Sequence, residues 1–254
     1  MENELKDKMS TISTRYLGLD LKSPVIAGSS NFTSKVDSIK EAEAAGAGAV
    51  VLKSLFEEQI VSLAHSMSSE GSYPEADDYL QYYTRTNSVE TYLELIRNAR
   101  RSVQIPVIAS INCFSEKGWT DFAVEIEKAG ASALEVNIFF IPVDKGQKST
   151  DAENVYFRII ESLTRKLKIP VTVKIGLRFS NLLNFAWQTR NHGASGIVMF
   201  NRFYEPDFDI NTMEIVPASV LSNPVEQRYV LRWVGMVSAQ DIRIDISEIG
   251  RAHV

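Results

Sequence analysis

A strand–helix–strand unit that recurs three times constrains the fold more than any other feature of this sequence. In each copy a proline opens a short apolar run, a helical pattern follows, and a glycine precedes a second apolar run. The proline and glycine stand at positions 24 and 46, 106 and 130, and 170 and 193, which are 22, 24 and 23 residues apart. Glycine commonly ends helices, and short apolar runs between turn signals are typical of buried parallel strands. The repeat therefore predicts a parallel α/β fold with right-handed crossovers.

The number of units favours a (β/α)8 TIM barrel over an open sheet. Six strands of this kind can be counted, and 254 residues is a typical length for one barrel domain. Only 53 residues follow Asn201, which is too few for two complete strand–helix units. We therefore expect a barrel truncated after about six strands. In this last part the pattern indicates a hairpin over 208–215 and a helix over 227–237, whereas the isoleucines at 242, 244 and 246 alternate with charges, unlike the other strands.

The predicted domain occupies residues 14–247 and opens with a small hairpin over 14–21. Residues 1–13 are polar and charged and are expected to form a disordered leader. Residues 248–254 are expected to be a non-native tail, because they resemble a translated sequencing adapter. Ser54 and Ile105 are 51 residues apart, and this interval holds an insertion rich in serine and tyrosine. Two interpretations of the insertion stay open, a lid over the active-site face and a variable surface loop.

Composition excludes several classes of function. A net charge of −5 argues against a nucleic-acid partner, because phosphate binding needs a basic surface. The single cysteine, Cys113, excludes a disulfide framework, and the three histidines lie too far apart for a metal site. No apolar run reaches membrane-spanning length, and the amino terminus is not a signal peptide. We expect a cytoplasmic protein without a metal ion and without a membrane or nucleic-acid partner.

Polar side chains stand at the same end of the predicted strands. They form a Gly-Ser turn after the first strand and lysine or asparagine at the later strand ends: Gly28, Ser29, Lys53, Ser54, Asn112, Asn137, Lys174 and Asn201. The carboxyl ends of barrel strands meet around one axis, where active sites lie. Amides and lysines without a strand-terminal carboxylate suit a planar, partly anionic ligand rich in hydrogen-bonding groups. Metal-dependent hydrolysis is disfavoured, since metal ligands are missing.

At these residues the chain resembles the dihydroorotate dehydrogenase family, and most closely its dihydroorotate dehydrogenase-like branch, which is soluble and class 1-like. The resemblance extends over about residues 13–247. Its most specific segments are Val51-Leu-Lys-Ser-Leu-Phe-Glu-Glu-Gln, Leu134-Glu-Val-Asn-Ile, Pro170-Val-Thr-Val-Lys and Phe200-Asn-Arg-Phe-Tyr-Glu-Pro-Asp. It implies an FMN-dependent barrel enzyme that oxidises dihydroorotate, or a related dihydropyrimidine, to orotate in pyrimidine biosynthesis. The expected partner is this small substrate, and a homodimer is a further expectation.

The resemblance also implies roles for individual residues. Lys53 is the implied catalytic residue, and the implied substrate-binding residues are Lys53, Asn137 and Asn201. Lys174 would lie near the flavin ring nitrogen and stabilise the reduced, anionic flavin. The implied FMN-binding residues are Ala27, Gly28, Ser29, Lys53, Ser54, Asn112, Asn137 and Lys174.

One departure from the family leaves the catalytic base unknown. The family places a cysteine or serine just after the asparagine of the fourth strand, but residues 138–142 here read Ile-Phe-Phe-Ile-Pro. None of these side chains can accept a proton. Cys113 is more typical of a small buried hydrophobic residue than of a base. The alternatives are therefore a dehydrogenase, a flavin- or pyrimidine-binding protein without dehydrogenase activity, and a truncated chain that does not fold stably.

Overall fold

The computed structural model describes residues 12–56, 74–112, 119–138, 142–201, 206–217 and 224–249. For residues 74–87, 119, 217 and 224 only the backbone is described. Several sequence predictions lie outside this part of the chain. They concern residues 1–11 of the leader, most of the insertion after Ser54, Cys113, residues 139–141 and the last five residues.

The predicted amino-terminal hairpin is present. Its strands are β1 (Thr14–Tyr16) and β2 (Leu19–Leu21), which pair antiparallel. Leu17 and Gly18 form the turn with φ angles of 55° and 75°, the left-handed conformation that two-residue hairpin turns require.

A parallel sheet follows the hairpin and forms the body of the molecule. Its strands are β3 (Ile26–Ala27), β4 (Ala49–Val51), β5 (Leu55–Phe56), β6 (Val107–Asn112), β7 (Ala133–Asn137), β8 (Val171–Ile175), β9 (Gly196–Met199) and β12 (Asp245–Glu248). They run in the order β3, β4, β6, β7, β8, β9, β12, and the short β5 pairs with β6. Between β9 and β12 lies the predicted second hairpin, β10 (Pro206–Asp209) with β11 (Glu214–Pro217).

Helices alternate with the strands and pack side by side on one face of the sheet. They are α1 (Val36–Ala44), α2 (Pro74–Ser102), α3 (Trp119–Lys128), α4 (Ser149–Thr164), α5 (Leu182–Asn191) and α6 (Gln227–Ser238). Each helix contacts the next one along the chain. Short 3₁₀ turns at Phe32–Ser34 and Pro224–Glu226 precede α1 and α6. The result is a parallel half-barrel with an outer layer of helices, which confirms the predicted barrel type of fold.

The expectation of a barrel with about six strands agrees with the observed half-barrel, in which Asp245–Glu248 forms a seventh parallel strand beside β9. That strand extends one residue beyond the predicted domain end at 247. Apolar and polar residues alternate in this strand because its two faces have different surroundings. Asp245 Oδ2 accepts a hydrogen bond from the Leu17 backbone N–H at 2.6 Å, and the Ser247 hydroxyl bonds Tyr16 Oη at 3.0 Å. Ile244 and Ile246 instead pack with the core on the helix side.

The two faces of the sheet carry different chemistry. The outer face is apolar and packs against the helices, as for Val107, Leu134 and Val173. Burying each such side chain stabilises the fold by roughly 1.5–3 kcal/mol. On the inner face, Ala49, Ile108 and Ala133 pack at the amino ends of the strands against buried residues of the first hairpin. Side chains alternate along a strand, so every second residue faces inward. The carboxyl ends of the strands together form the carboxyl edge of the sheet, and the inward-facing residues there are the candidate site residues.

Gly48 offers a test of this packing. Its backbone N–H donates to the Val25 carbonyl at 2.8 Å, and a Cβ added to it would lie 1.9 Å from the Ser23 carbonyl oxygen. We expect Gly48→Ala to destabilise the fold by about 3 kcal/mol, since backbone on both sides must move. Gly235→Ala in α6 is the matched control, because its Cβ would meet nothing within 4 Å. That control should stabilise the helix by roughly 0.5–1 kcal/mol. Equal urea midpoints for the two variants would contradict the expectation.

Candidate functional site

The strand register brings four of the predicted site residues together at the carboxyl edge. Asn112 of β6 pairs with Asn137 of β7, and Asn137 pairs with Lys174 of β8. Asn201 follows β9 and donates from its amide Nδ2 to Asn137 Oδ1 at 3.0 Å. The backbone N–H of Asn201 is held by the Ile175 carbonyl at 2.6 Å. These residues lie far apart in sequence and are neighbours because parallel strands end at the same edge.

The Asn137–Asn201 amide pair has a defined polarity. The bond between the two side chains uses the Asn137 oxygen and one Asn201 N–H. It leaves the Asn137 NH₂ group as a donor and the Asn201 oxygen as an acceptor, since each amide carries both functions. Asn137 is only 5% exposed and Asn201 is half-buried, so the pair is largely shielded from solvent. An amide pair of this kind can bind the edge of a ring that alternates N–H and C=O groups.

The other predicted residues lie at the ends of β3 and β4. Ala27 ends β3, the exposed Gly28 follows it, and the half-buried Ser29 comes next. Ser29 Oγ accepts the Ser54 backbone N–H at 2.9 Å, and the two hydroxyl oxygens are 3.1 Å apart. The turn after β3 is thereby fixed to the end of β4.

Lys53 and Ser54 lie where the pairing of β4 with β6 is interrupted. β4 ends at Val51 and β5 resumes at Leu55, so the intervening residues form an irregular step along β6. Both residues line a cleft of about 530 Å³ between this step, α1 and α2, with Ser34, Tyr92, Leu95 and Asn98 also in its wall. Asn112, Asn137, Lys174 and Asn201 do not line this cleft. The structure therefore divides the predicted site residues into two groups.

Glu135 connects the two groups and was not among the predicted site residues. It lies on β7 two positions before Asn137, faces the same side of the sheet, and is only 5% exposed. Ser110 of β6, which is fully buried, donates its hydroxyl to Glu135 Oε1 at 3.0 Å. The Ser110 oxygen lies 2.7 Å from Ser54 Oγ. A signal was present in the sequence, because a glutamate inside an apolar strand, in phase with Asn137, must face the same side.

Burial raises the pKa of the Glu135 carboxyl above its ordinary value of 4.5, and the nearby Lys174 ammonium and the Ser110 hydrogen bond oppose this rise. Desolvation penalises the charged carboxylate, whereas a cation and a donor favour it. The net direction is upward, so Glu135 loses its proton at a higher pH than an exposed glutamate does. Such a group can hold or release a proton inside the half-barrel.

The raised pKa predicts a pH-dependent effect of Glu135→Gln on stability. The folded protein binds this proton more tightly than the unfolded chain does. The contribution of the proton to the free energy of unfolding is therefore fully present below about pH 4.5, the pKa in the unfolded chain. This contribution is lost as the pH rises from about 4.5 through the pKa of the folded state. Glutamine cannot ionise, so the variant should gain stability relative to the original chain as the pH rises. Urea midpoints measured between about pH 5 and about pH 8 test this difference.

Glu125→Gln is the matched control for this experiment. Glu125 lies on the surface of α3 in an i,i+3 ion pair with Lys128, which contributes at most about 0.5 kcal/mol. Its stability difference from the original chain should show little dependence on pH. A Glu135→Gln curve parallel to that of the original chain over the whole pH range would show that Glu135 is ionised throughout.

Two classes of site are not seen in the described ranges. No three histidine, cysteine, aspartate or glutamate side chains in this part of the chain are grouped to hold a metal ion. Among the described helices, none has the length and apolarity needed to cross a membrane.

Parallel strands with helices outside define the class, an α/β barrel-type protein, and the polar side chains at the carboxyl edge are its candidate site. No protein-family model matches the chain. Relatives do: the chain is 27% identical over 228 residues to dihydroorotate dehydrogenase A (fumarate) of Limosilactobacillus reuteri, covering 87% of this chain and 73% of that protein. It is 26% identical over 239 residues to the catalytic subunit of dihydroorotate dehydrogenase B (NAD(+)) of Thermoplasma volcanium, covering 89% and 74%. These relatives confirm the resemblance to the dihydroorotate dehydrogenase family.

A solved structure is also similar. It is an IMP dehydrogenase/GMP reductase-like protein from Corynebacterium glutamicum, with a TM-score of 0.44 and 17% identity. The match covers 75% of this chain and 48% of that one.

Proposed function

We propose that this chain is an FMN-dependent oxidoreductase of the dihydroorotate dehydrogenase type, which oxidises dihydroorotate or a related dihydropyrimidine to orotate in pyrimidine biosynthesis. The observation that carries the proposal is the Asn137–Asn201 amide pair at the carboxyl edge. Its donor and acceptor match the alternating N–H and C=O groups of a pyrimidine ring. The two relatives named dihydroorotate dehydrogenases support the same substrate class.

The side chains at this edge also fit the flavin ring by their chemistry. Lys174 lies beside Asn137 in the register and is close enough to the buried Glu135 to act on its ionisation. A half-buried ammonium there can stabilise negative charge on a bound ring. The Ser29 and Ser54 hydroxyls and the Asn112 amide supply further hydrogen-bonding groups. Bound FMN would supply the hydride acceptor for the oxidation of a CH–CH bond.

The protein's own residues contribute to the reaction by orienting the bound ring. Asn201 is fixed by its backbone bond to Ile175 and by its amide bond to Asn137. A ring held by this pair loses its freedom to rotate before reaction, and well-oriented reactants can gain several kcal/mol in this way. Ile138 and Phe200, which follow the two strands, are 1% and 5% exposed and limit the access of water from the helix side.

A second candidate function is flavin or pyrimidine binding without dehydrogenase activity. The observation that favours it is the sequence of residues 138–142, which offers no proton acceptor where the family places its base. Ile138 belongs to the apolar core on the helix side, whereas residues 139–141 lie outside the described residues.

Two measurements on the purified chain separate these candidates. Flavin absorbance tests binding, and a colourless protein that cannot be reconstituted with FMN contradicts both flavin proposals. Dihydroorotate is then added without oxygen. Bleaching of the flavin band supports the dehydrogenase, whereas a flavin that stays oxidised rejects it for this substrate and supports the binding protein.

Location and assembly complete the proposal. We propose a cytoplasmic homodimer without a nucleic-acid or membrane partner, in line with the net charge of −5. Cell fractionation and light scattering test these points directly, and a monomer at micromolar concentration would reject the dimer.

A further inference from the structure

Four side chains form a continuous hydrogen-bonded series from the interior of the half-barrel to its carboxyl edge. The oxygen–oxygen distances are 3.0 Å from Glu135 to Ser110, 2.7 Å from Ser110 to Ser54, and 3.1 Å from Ser54 to Ser29. We call this series the serine chain. Glu135, Ser110 and Ser54 are buried, with 5%, 0% and 8% exposure, whereas Ser29 is half-buried. The serine chain therefore joins a buried carboxyl group to the solvent-facing turn after β3.

The donor pattern of the serine chain is consistent along its whole length. Ser110 donates its only hydroxyl proton to Glu135, so towards Ser54 it can only accept. Ser54 then donates to Ser110 and accepts from Ser29. All three hydroxyls point their protons towards the carboxylate, and all three reverse when the carboxyl group carries the proton. A series that can reverse in this way passes a proton from one end to the other.

The surroundings of Glu135 suit a group that exchanges a proton. The charged or titratable side chains that act on Glu135, or on which it acts, are Lys174 of β8, Tyr16 of β1 and Tyr92 of α2. Burial raises the pKa of Tyr16 to about 12 and that of Tyr92 further, so both phenols remain protonated near neutral pH. Lys174 supplies the compensating positive charge. Glu135 is thus a buried carboxyl group whose protonated form is favoured by desolvation and whose charged form is favoured by Lys174.

We propose that Glu135 is the proton-holding residue of the site and that Ser110, Ser54 and Ser29 conduct its proton to solvent. This inference rests on the proposed dehydrogenase function. Oxidation of a CH–CH bond to C=C removes a hydride, which bound FMN would accept, and a proton. The ring C–H bond breaks, and its proton forms an O–H bond on the Glu135 carboxylate. That proton then leaves through the three hydroxyls, each of which loses one proton and gains another, and the carboxylate is restored.

The serine chain provides the proton acceptor that residues 138–142 lack. Glu135 and Asn137 share one face of β7 and are two residues apart, which is roughly 6.6 Å along the strand. A ring bound by the Asn137–Asn201 amide pair would therefore lie one side-chain layer above Glu135. Because Glu135 would take the ring proton itself, we assign it as the catalytic base, with Ser110, Ser54 and Ser29 as its proton path.

The first test needs neither substrate nor turnover. Infrared difference spectroscopy of the whole chain between low and high pH detects the C=O stretch of the protonated Glu135 carboxyl group, and this band should be absent from the difference spectrum of Glu135→Gln. After transfer to D₂O this band shifts as the proton exchanges. We expect Ser54→Ala to slow that shift at least about tenfold, because it breaks the serine chain at its middle. Ser30→Ala is the matched control, since Ser30 is an exposed neighbour outside the serine chain, and its exchange rate should be unchanged.

The second test measures proton release during reaction. A pH-indicator dye follows the proton that appears when dihydroorotate reduces the flavin without oxygen. Ser54→Ala should release it at least about tenfold more slowly, and the pH profile of flavin reduction should lose its Glu135-dependent limb in Glu135→Gln. Circular dichroism checks that each variant is folded.

The outcomes separate this inference from the proposed function. A carboxyl band that persists in Glu135→Gln, or an exchange rate in Ser54→Ala equal to that of the original chain, overturns the inference even if the enzyme is active. If the original chain never reduces its flavin with dihydroorotate, the proposed function fails. In that case the exchange experiment still decides whether the serine chain conducts a proton. If Glu135→Gln does not fold, Ser54→Ala alone decides it.

Discussion

Replacing Tyr92 by phenylalanine is expected to lower the free energy of unfolding by about 2–5 kcal/mol, although only one oxygen atom is removed. Tyr92 extends from α2 to the backbone of β6. Its hydroxyl accepts the Ser110 N–H at 2.7 Å and donates to the Ser110 carbonyl at 2.9 Å. Both contacts are buried. Without the hydroxyl, two backbone groups in the core would lose their partners.

The step between β4 and β5 explains why a side chain is needed there. Leu52 N–H donates to the Ile108 carbonyl at 2.9 Å, and pairing resumes where Leu55 faces Ile111. Ser110 lies between these contacts, where the neighbouring strand is interrupted. The Tyr92 hydroxyl occupies the place of the missing strand, and each unpaired buried group would cost about 1–3 kcal/mol.

Urea unfolding of Tyr92→Phe measures this effect. Tyr229→Phe is the matched control, because Tyr229 is 53% exposed on α6 and the same change there should stay within about 0.5 kcal/mol. The ring contact of Tyr92 with Phe122, at a centroid distance of 6.2 Å, is preserved in the variant. A Tyr92→Phe midpoint equal to that of the control would show that β6 does not depend on this hydroxyl.

Replacing Asn137 by alanine is expected to lower the rate of flavin reduction by dihydroorotate about a hundredfold, if the proposed function is right. The change removes the donor that faces the ring and also the oxygen that holds Asn201 at 3.0 Å. Both amides lose their fixed orientation together. Asn201→Ala should therefore give a similar loss, and the double variant should lose little more than either single one, because paired residues act as a unit.

Anaerobic stopped-flow measurement of the flavin band gives these rates. Asn191→Ala, at the exposed end of α5, is the control for a change of the same type away from the site. If the fold-reduction in rate of the double variant equals the product of the two single fold-reductions, the side chains act separately. An unchanged rate in Asn137→Ala, with the protein folded, would remove the amide pair from the proposed mechanism.

The sequence by itself determined the order of the strands and helices that carry the site. The proline-to-glycine repeat set the spacing of the strand–helix–strand units, and helix α5 lies between Pro170 and Gly193, as the repeat predicts. Local signals suffice for such elements, because apolar periodicity and helix-ending glycines act over a few residues. The repeat also places Asn112, Asn137 and Lys174 at strand ends, and these ends meet because parallel strands finish at one edge.

Only the tertiary structure decided which polar groups bond to one another. The polar side chains on the inner face of the seventh strand bond to Tyr16 and Leu17 of the first hairpin. These partners lie more than 200 residues earlier in the chain. Tyr92 completes β6 from a helix, and Ser110 and Glu135 meet across two strands. Buried polar groups must find partners, but which partner each finds depends on strand register and on steps in the sheet, and no local pattern encodes these.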